Sequence, residues 1–145
     1  MSPFDEIAIG GILPQREPFL FVDRLESYDD RETVTSFTVP AEHLLVADGY
    51  LTAPGVLENM AQSSAARIGY LCKYILHVPV RIGYIGAIRK FRVYRLPAVG
   101  ETLTTTVILR EDVFGISLAD VTVRVGEEVI AEAALKTALG EKEAE

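Results

Sequence analysis

Apolar and polar residues alternate near the start of this chain, cluster in its middle and alternate again toward its end, and each regime predicts a different element. Phe19 to Glu26 opens on bulky apolar residues, and beyond the polar turn Tyr28-Asp29-Asp30 the segment Glu32 to Val39 alternates strictly. Thr33, Thr35, Phe37 and Val39 share one face there, and Val34, Ser36 and Thr38 the other. A period of two puts successive side chains on opposite faces of a strand, so the two segments predict an antiparallel hairpin. Upstream, Asp5 to Ile12 is short and holds Gly10-Gly11, which reads as a helical turn or extended arm leading into a corner at Leu13-Pro14.

The stretch from Pro40 to Leu51 is irregular, after which the period changes. Thr52 is placed to cap a helix with Pro54 in its first turn, where a missing N–H costs least. Val56, Leu57, Met60, Ala61, Ala65, Ile68, Leu71, Cys72 and Ile75 follow a 3.6-residue repeat, which extends the predicted helix to about Leu76. Glu58 and Gln62 form an i, i+4 pair beside that stripe, so a carboxylate and an amide share one side. Pro79 stops the helix. Four strands are then predicted: about Val80 to Tyr94, Glu101 to Glu111, Ile116 to Val125 and Glu128 to Thr137. Their turns fall at Pro97 to Gly100, near Phe114-Gly115, and at Gly126-Glu127. Gly83 and Gly86 lie inside the first of these strands, where glycine often marks a bend or the close approach of another backbone or a ligand.

Strands, one long helix and then consecutive strands give an α+β domain, a single antiparallel sheet curling around a central helix. At 145 residues the chain fits one domain, read as 1–139, with the acidic tail 140–145 expected to be disordered. An apolar share of 49% beside a formal charge of −7 argues for a filled interior and a subunit interface, hence an oligomer. The acidic balance without a Lys/Arg cluster argues against nucleic acid and anionic membranes as partners. The start MSPFDEIAIGG is acidic where a secretory leader is basic, and no apolar run reaches the ~20 residues of a membrane span, so a soluble cytoplasmic protein is expected. Cys72 is the only cysteine, and His43 and His77 stand far apart without ligand-like neighbours, so neither a disulfide nor a metal site is expected. Arg89, Lys90, Arg92 and Arg95 are the densest positive stretch, either a solvated strand face or a docking surface for an acidic protein. Arg67 reads as a solvated or interfacial charge.

Three stretches carry a resemblance: "LPQREPFLFVD" (13–23), "GYLTAPGVLENMAQSSAARIGY" (49–70) and "IGAIRKFRVYRLPAVGETL" (85–103). They resemble the hotdog-fold 3-hydroxyacyl-(acyl carrier protein) dehydratases, in which LPHR-PFL-VDR precedes the first long strand, E-A-M-A-Q lies on the central helix, and F-R-P is followed by P-G-D. The compressed segment before Glu58 is closer to the dehydratase-like hotdogs of aryl-polyene and related pigment lipids, with G-x-L followed by L-E-x-M-A-Q, than to the housekeeping fatty-acid enzyme.

The resemblance implies a homodimer or dimer of dimers acting on acyl thioesters, with no cofactor beyond the phosphopantetheine of an acyl carrier protein or coenzyme A that bears the substrate. It implies two titrating groups brought to one site by two subunits: a histidine, read at the LPHR turn, for the C2 proton, and the acidic residue on the helix for the departing 3-hydroxyl. Glu58 matches the acid. Gln15 stands at the histidine position of the turn, and an amide has no proton to exchange near neutral pH. Three readings remain open: Glu58 acts alone as acid and base, His43 supplies the base from the pre-helix loop, or the chain binds acyl groups without turning them over, paired with an active hotdog subunit. Thioester hydrolysis directed by Glu58 is a further alternative. By the same resemblance Gly55 and Val56 offer N–H groups to the thioester oxygen at the helix start, and Phe19, Gly83 and Gly86 are expected to contact the substrate; Gln62 either braces Glu58 or hydrogen-bonds to backbone at the subunit seam.

Overall fold

The computed structural model describes residues 3–143. Six strands form one antiparallel sheet: β1 (Arg24–Tyr28), β2 (Glu32–Thr38), β5 (Arg81–Val93), β6 (Thr102–Val113), β7 (Ile116–Val125) and β8 (Glu128–Glu143). They are arranged in the order β1-β2-β6-β7-β8-β5. A two-residue ladder, β3 (Val46–Ala47) with β4 (Tyr50–Leu51), lies in the segment expected to be irregular. The helix α1 (Ala53–Tyr70) packs on the inner face of the sheet. The α+β reading and the predicted hairpin hold, and β7 has the predicted ends.

Several expectations are corrected. Regular helix stops at Tyr70 and a wider π-type turn, Leu71–Ile75, carries the chain on, so Ile75, placed on the apolar stripe, is half exposed. Thr52 stands at the N-cap, yet its hydroxyl donates to the Leu45 carbonyl at 2.8 Å, tying down the preceding loop instead of the helix. The tail expected to be disordered continues β8 through Glu143, because pairing with β5 extends that far (Arg81 opposite Glu143). Residues 144 and 145 lie outside the described residues.

The largest correction concerns how far the inward side of α1 extends: Val56, Met60 and Cys72 of the predicted stripe are buried as expected, but that side also takes in polar residues. Asn59, Gln62, Ser63 and Arg67 are all buried, whereas Leu57, Ala61, Ala65 and Ile68 are only partly so. The reason is the segment Phe19 to Asp23, expected to be strand but running ahead of β1. Its backbone needs hydrogen-bond partners in the interior, and the helix supplies them. Gln62 Oε1 accepts from the Phe21 N–H at 2.7 Å, and Asn59 Nδ2 donates to the Phe21 carbonyl at 2.7 Å. Two side-chain amides thus replace a strand partner. Asn59 Oδ1 in turn accepts from Thr105 at 2.6 Å, and Ser63 meets Thr35 at 2.7 Å. Arg67, expected to be solvated, donates to the carbonyls of Asp29 and Asp30 and to Thr33, and lies over the Tyr28 ring, so it pins the β1–β2 turn.

Apolar packing flanks this polar seam on both sides. Phe21, Phe37, Leu51, Met60, Val107 and Val123 belong to the main core between helix and sheet. Ile12, Leu13, Val22, Leu25 and Ala66 form a second cluster under the N-terminal arm. Gly69 permits that cluster, since a Cβ there would lie 2.0 Å from the Ile12 carbonyl oxygen. Only a glycine lets arm and helix approach so closely.

Candidate functional site

Glu58 occupies the second turn of α1, on the same side of the helix as Gln62 and at the border of the polar seam. Dipole stabilisation fades beyond the first turn, so the helix start alone does not account for it. Its carboxylate accepts a hydrogen bond from Gln62 Nε2 at 3.0 Å and faces no cation among the described residues. Gln62 is itself immobilised, bonded to the Phe21 N–H and donating to the Phe19 carbonyl at 2.7 Å. The i, i+4 pair seen in the sequence is therefore a braced carboxylate held by a fully committed amide.

Gln15 enters from the corner after Leu13-Pro14. That corner is fixed by Arg16, whose guanidinium donates to the carbonyls of Leu13, Gln15 and Gly10. Gln15 and Glu58 line one cavity of about 190 Å³ together with Ala61, Gln62, Ala65, Gly83, Ile85 and Thr137. Gln15 Oε1 is buried there without a hydrogen-bond partner. Gln15 and Glu58, the positions matched to the family's two titrating groups, thus both line this cavity within a single chain. A buried acceptor with nothing to accept costs about 1–3 kcal/mol, which makes Gln15 Oε1 the point on this wall that calls for a donor.

The other expected positions distribute differently. Gly83 lines the cavity, but Gly86 does not. Phe19 contributes only its carbonyl, as the Gln62 acceptor, and its ring is largely exposed. Gly55 and Val56 lie outside the cavity: the Val56 N–H is bonded to the Thr52 carbonyl at 3.0 Å, and Gly55 is covered by Leu51. His43 is also outside it. Its ring packs edge-on against Phe21 and Phe37 with centroids 4.5 and 5.9 Å away, its Nδ1 is buried without a partner, and Nε2 reaches only the Leu20 carbonyl at 3.4 Å. Of the basic stretch, Arg89, Lys90 and Arg92 are exposed, while Arg95 is engaged by Glu101 and Glu128. Glu101 is held down at about 2 by the Arg95 guanidinium and by the Ala98 N–H.

Thr137 and Ile85 are wall residues that the sequence pattern did not single out, and Ala61 and Ala65, read there as part of the helix's apolar stripe, also line the cavity. Thr137 was reachable in principle, because it continues the inward alternation of Ala131, Ala133 and Leu135 along β8. Its meeting with Glu58 depends on β5 pairing with β8, which no local pattern announces.

A family model described as ApeP dehydratase, of the ApeP-like family, matches residues 7–145. The 3-hydroxyacyl-[acyl-carrier-protein] dehydratase FabZ of Desulforamulus reducens is 38% identical over 143 residues, covering 93% of this chain and 96% of that protein. Among solved structures, the dehydratase heterocomplex ApeI:P from Xenorhabdus doucetiae matches with a TM-score of 0.86 at 18% identity, over 94% of this chain and 93% of that one. A Streptococcus mutans protein bound to acetyl CoA matches with a TM-score of 0.64 at 14% identity, over 82% of this chain and 89% of its own. These structural likenesses support the hotdog architecture expected from the motifs, six antiparallel strands with one long helix. With the sequence match spanning nearly the whole chain and Glu58 braced in a cavity on the central helix, the chain belongs to the ApeP-like dehydratase family of hotdog proteins.

Proposed function

We propose that the chain dehydrates 3-hydroxyacyl thioesters, carried on an acyl carrier protein, to trans-2-enoyl thioesters in a specialised lipid or polyene pathway. The observation that carries this reading is the buried, unpartnered Gln15 Oε1 beside the braced Glu58 carboxylate. A 3-hydroxyl group is the donor that such an acceptor lacks. Hydrogen-bonded to Gln15, it is held near the one group in the cavity able to exchange a proton. Glu58 as carboxylate takes the C2 proton and, now an acid, returns it to the departing oxygen; the C2–H electron pair forms the C2=C3 bond as the C3–O bond breaks and water leaves. One carboxylate serves both ends when the C2 hydrogen and the hydroxyl lie on the same side. The elimination is redox-neutral and calls for no cofactor beyond the carrier's phosphopantetheine arm.

The partner follows from β5. This edge strand runs 13 residues, its outer edge has no strand partner among the described residues, and its Gly83 and Ile85 border the cavity. An open edge this long, with Tyr84 and Ile88 exposed, is an invitation to pair with another strand. A second copy, giving a homodimer or dimer of dimers, fits it, and the exposed Arg89, Lys90 and Arg92 suit an acidic carrier protein at the same edge.

A second reading has its own support: without a titrating residue at position 15, the chain is the binding half of a pair with another hotdog subunit, by analogy with the Xenorhabdus doucetiae ApeI:P assembly, a dehydratase heterocomplex. Mass spectrometry of carrier-protein thioesters separates the readings. Interconversion of 3-hydroxyacyl and trans-2-enoyl forms, lost in Glu58→Gln, supports the single-carboxylate enzyme. Silence relieved by Gln15→His or by an added hotdog partner supports the binding half, and free thiol in place of either product refutes both in favour of hydrolysis.

A further inference from the structure

Among the described residues, the polar side chains that are buried whole are hydrogen-bonded, with one exception. Thr33 accepts from Arg67, Thr35 meets Ser63, Thr105 donates to Asn59, and Ser64 donates to the Met60 carbonyl. Thr137 is also buried, at 7% exposure, yet its hydroxyl has no hydrogen-bond partner among the described residues. The rest of its inward row on β8, Ala131, Ala133 and Leu135, is apolar. Valine has nearly the same branched shape and suits a strand equally well, so packing gives no reason for a hydroxyl at this position. An interior hydroxyl left unbonded is a cost.

Its surroundings supply the reason. Thr137 stands opposite Ile85 of β5 and borders the Glu58 cavity. Its γ-methyl is turned toward Gly83, 3.1 Å from where a Cβ on that residue would lie. Its Oγ1, in contrast to Gln15 Oε1, is not sealed beneath other atoms, so it opens onto the cavity space that the residue borders, here and behind the carboxyl-terminal half of α1. On the Glu58 wall, Gln62 is fully committed and Gln15 Oε1 can only accept. A hydroxyl ligand both donates and accepts, and an acceptor alone satisfies half of it.

Resting on the dehydratase reading of that cavity, we infer that Thr137 is a further substrate-binding residue: its O–H donates to the 3-hydroxyl oxygen while the 3-hydroxyl donates to Gln15 Oε1. The two residues come from different parts of the fold, the sheet and the Leu13-Pro14 corner, and hold the oxygen between them. The oxygen's second lone pair is left for the proton that Glu58 returns. The same O–H stabilises the charge that builds on the oxygen as the C3–O bond breaks, and no bond to Thr137 itself forms or breaks. Together the pair selects a 3-hydroxylated chain over its unsubstituted counterpart, which would leave both groups unpaired.

Titration calorimetry of the full chain with S-butyl and S-(3-hydroxybutyl) pantetheine thioethers tests this without turnover. In the wild-type chain the hydroxyl is expected to tighten binding about ten-fold. Thr137→Val is expected to lose about five-fold of that preference while leaving butyl affinity and Tm unchanged, because the hydroxyl removed has no partner among the described residues. Thr137→Ser, which keeps a hydroxyl, is expected to retain the preference. A wild-type chain that binds the butyl ligand without favouring the hydroxylated one overturns the inference even if neither variant folds. A preference undiminished in folded Thr137→Val overturns it too, as does an equal loss for both ligands, which makes the hydroxyl structural. Binding of neither ligand overturns the acyl-thioester reading and this inference together. Hydration of crotonyl-pantetheine, measured alongside, reports on the dehydratase reading separately: its absence with the hydroxyl preference intact refutes the chemistry and leaves the Thr137 contact standing.

Discussion

Replacing Gln62 by leucine removes three hydrogen bonds from one fully buried side chain, and their surroundings set the cost. The Phe21 N–H, now 2.7 Å from Gln62 Oε1, becomes a buried donor with no acceptor, at about 1–3 kcal/mol. The Phe19 carbonyl lies beside a largely exposed residue and can turn to water, so it adds little. Leucine has similar bulk and gains apolar burial, which offsets part of the loss. The net destabilisation is about 2 kcal/mol, or roughly 4–8 °C in Tm for a domain of this size. Gln62→Glu is the informative contrast. It keeps an acceptor for Phe21 but, when ionised, cannot donate to Phe19 and places a second negative charge beside Glu58. Like charges raise the pKa of both carboxylates, so its destabilisation is greatest at neutral pH and shrinks as acidification lets one of the pair hold a proton. Urea unfolding followed by far-UV circular dichroism, suited to a chain without tryptophan, measures both variants from neutral to mildly acid pH. A leucine variant within about 0.5 kcal/mol of wild type would refute the reading of Gln62 as the structural substitute for a strand partner. A glutamate variant indifferent to pH would refute its proximity to the Glu58 charge.

Other perturbations address separate features. Glu58→Gln is expected to lower turnover by roughly 10²–10⁴-fold while leaving thermal stability nearly unchanged, because the carboxylate has no cation partner among the described residues; a large drop in Tm would make its role structural. Gly69→Ala forces a Cβ to within 2.0 Å of the Ile12 carbonyl oxygen, and is expected to cost about 1–3 kcal/mol and to expose residues 3–12 to proteolysis. Glu101 titrates in the folded chain at about 2, below its ordinary 4.5, so its contact with Arg95 contributes stability above the ordinary value and loses it as pH falls toward 2. Glu101→Gln should accordingly flatten the acid limb of a stability-against-pH curve, and an unchanged limb would mean that the pair is solvent-screened.

The hairpin β1–β2, the strands β5 to β8 and the single helix follow from local patterns, because period-two and period-3.6 alternation record which side chains leave water. The Glu58–Gln62 pair was legible for the same reason: helical spacing alone puts the two on one side. Gln15 could be singled out from its place in the motif, but its orphaned oxygen could not. The polar part of α1's inward side was not foreseen, although Val56, Met60 and Cys72 were, because hydrophobicity records what a side chain is and ignores what it meets. Asn59, Gln62, Ser63 and Arg67 are buried since the Phe19–Asp23 backbone, the threonines of the sheet and the β1–β2 turn offer them partners in the interior. The site's final composition belongs to tertiary structure alone. The strand order that sets β5 against β8 carries Gly83 and Thr137 to Glu58, and the Leu13-Pro14 corner folded onto α1 adds Gln15. Residues so distant in sequence meet through the closure of a sheet around a helix, a cooperative packing outcome that no window of neighbouring residues encodes.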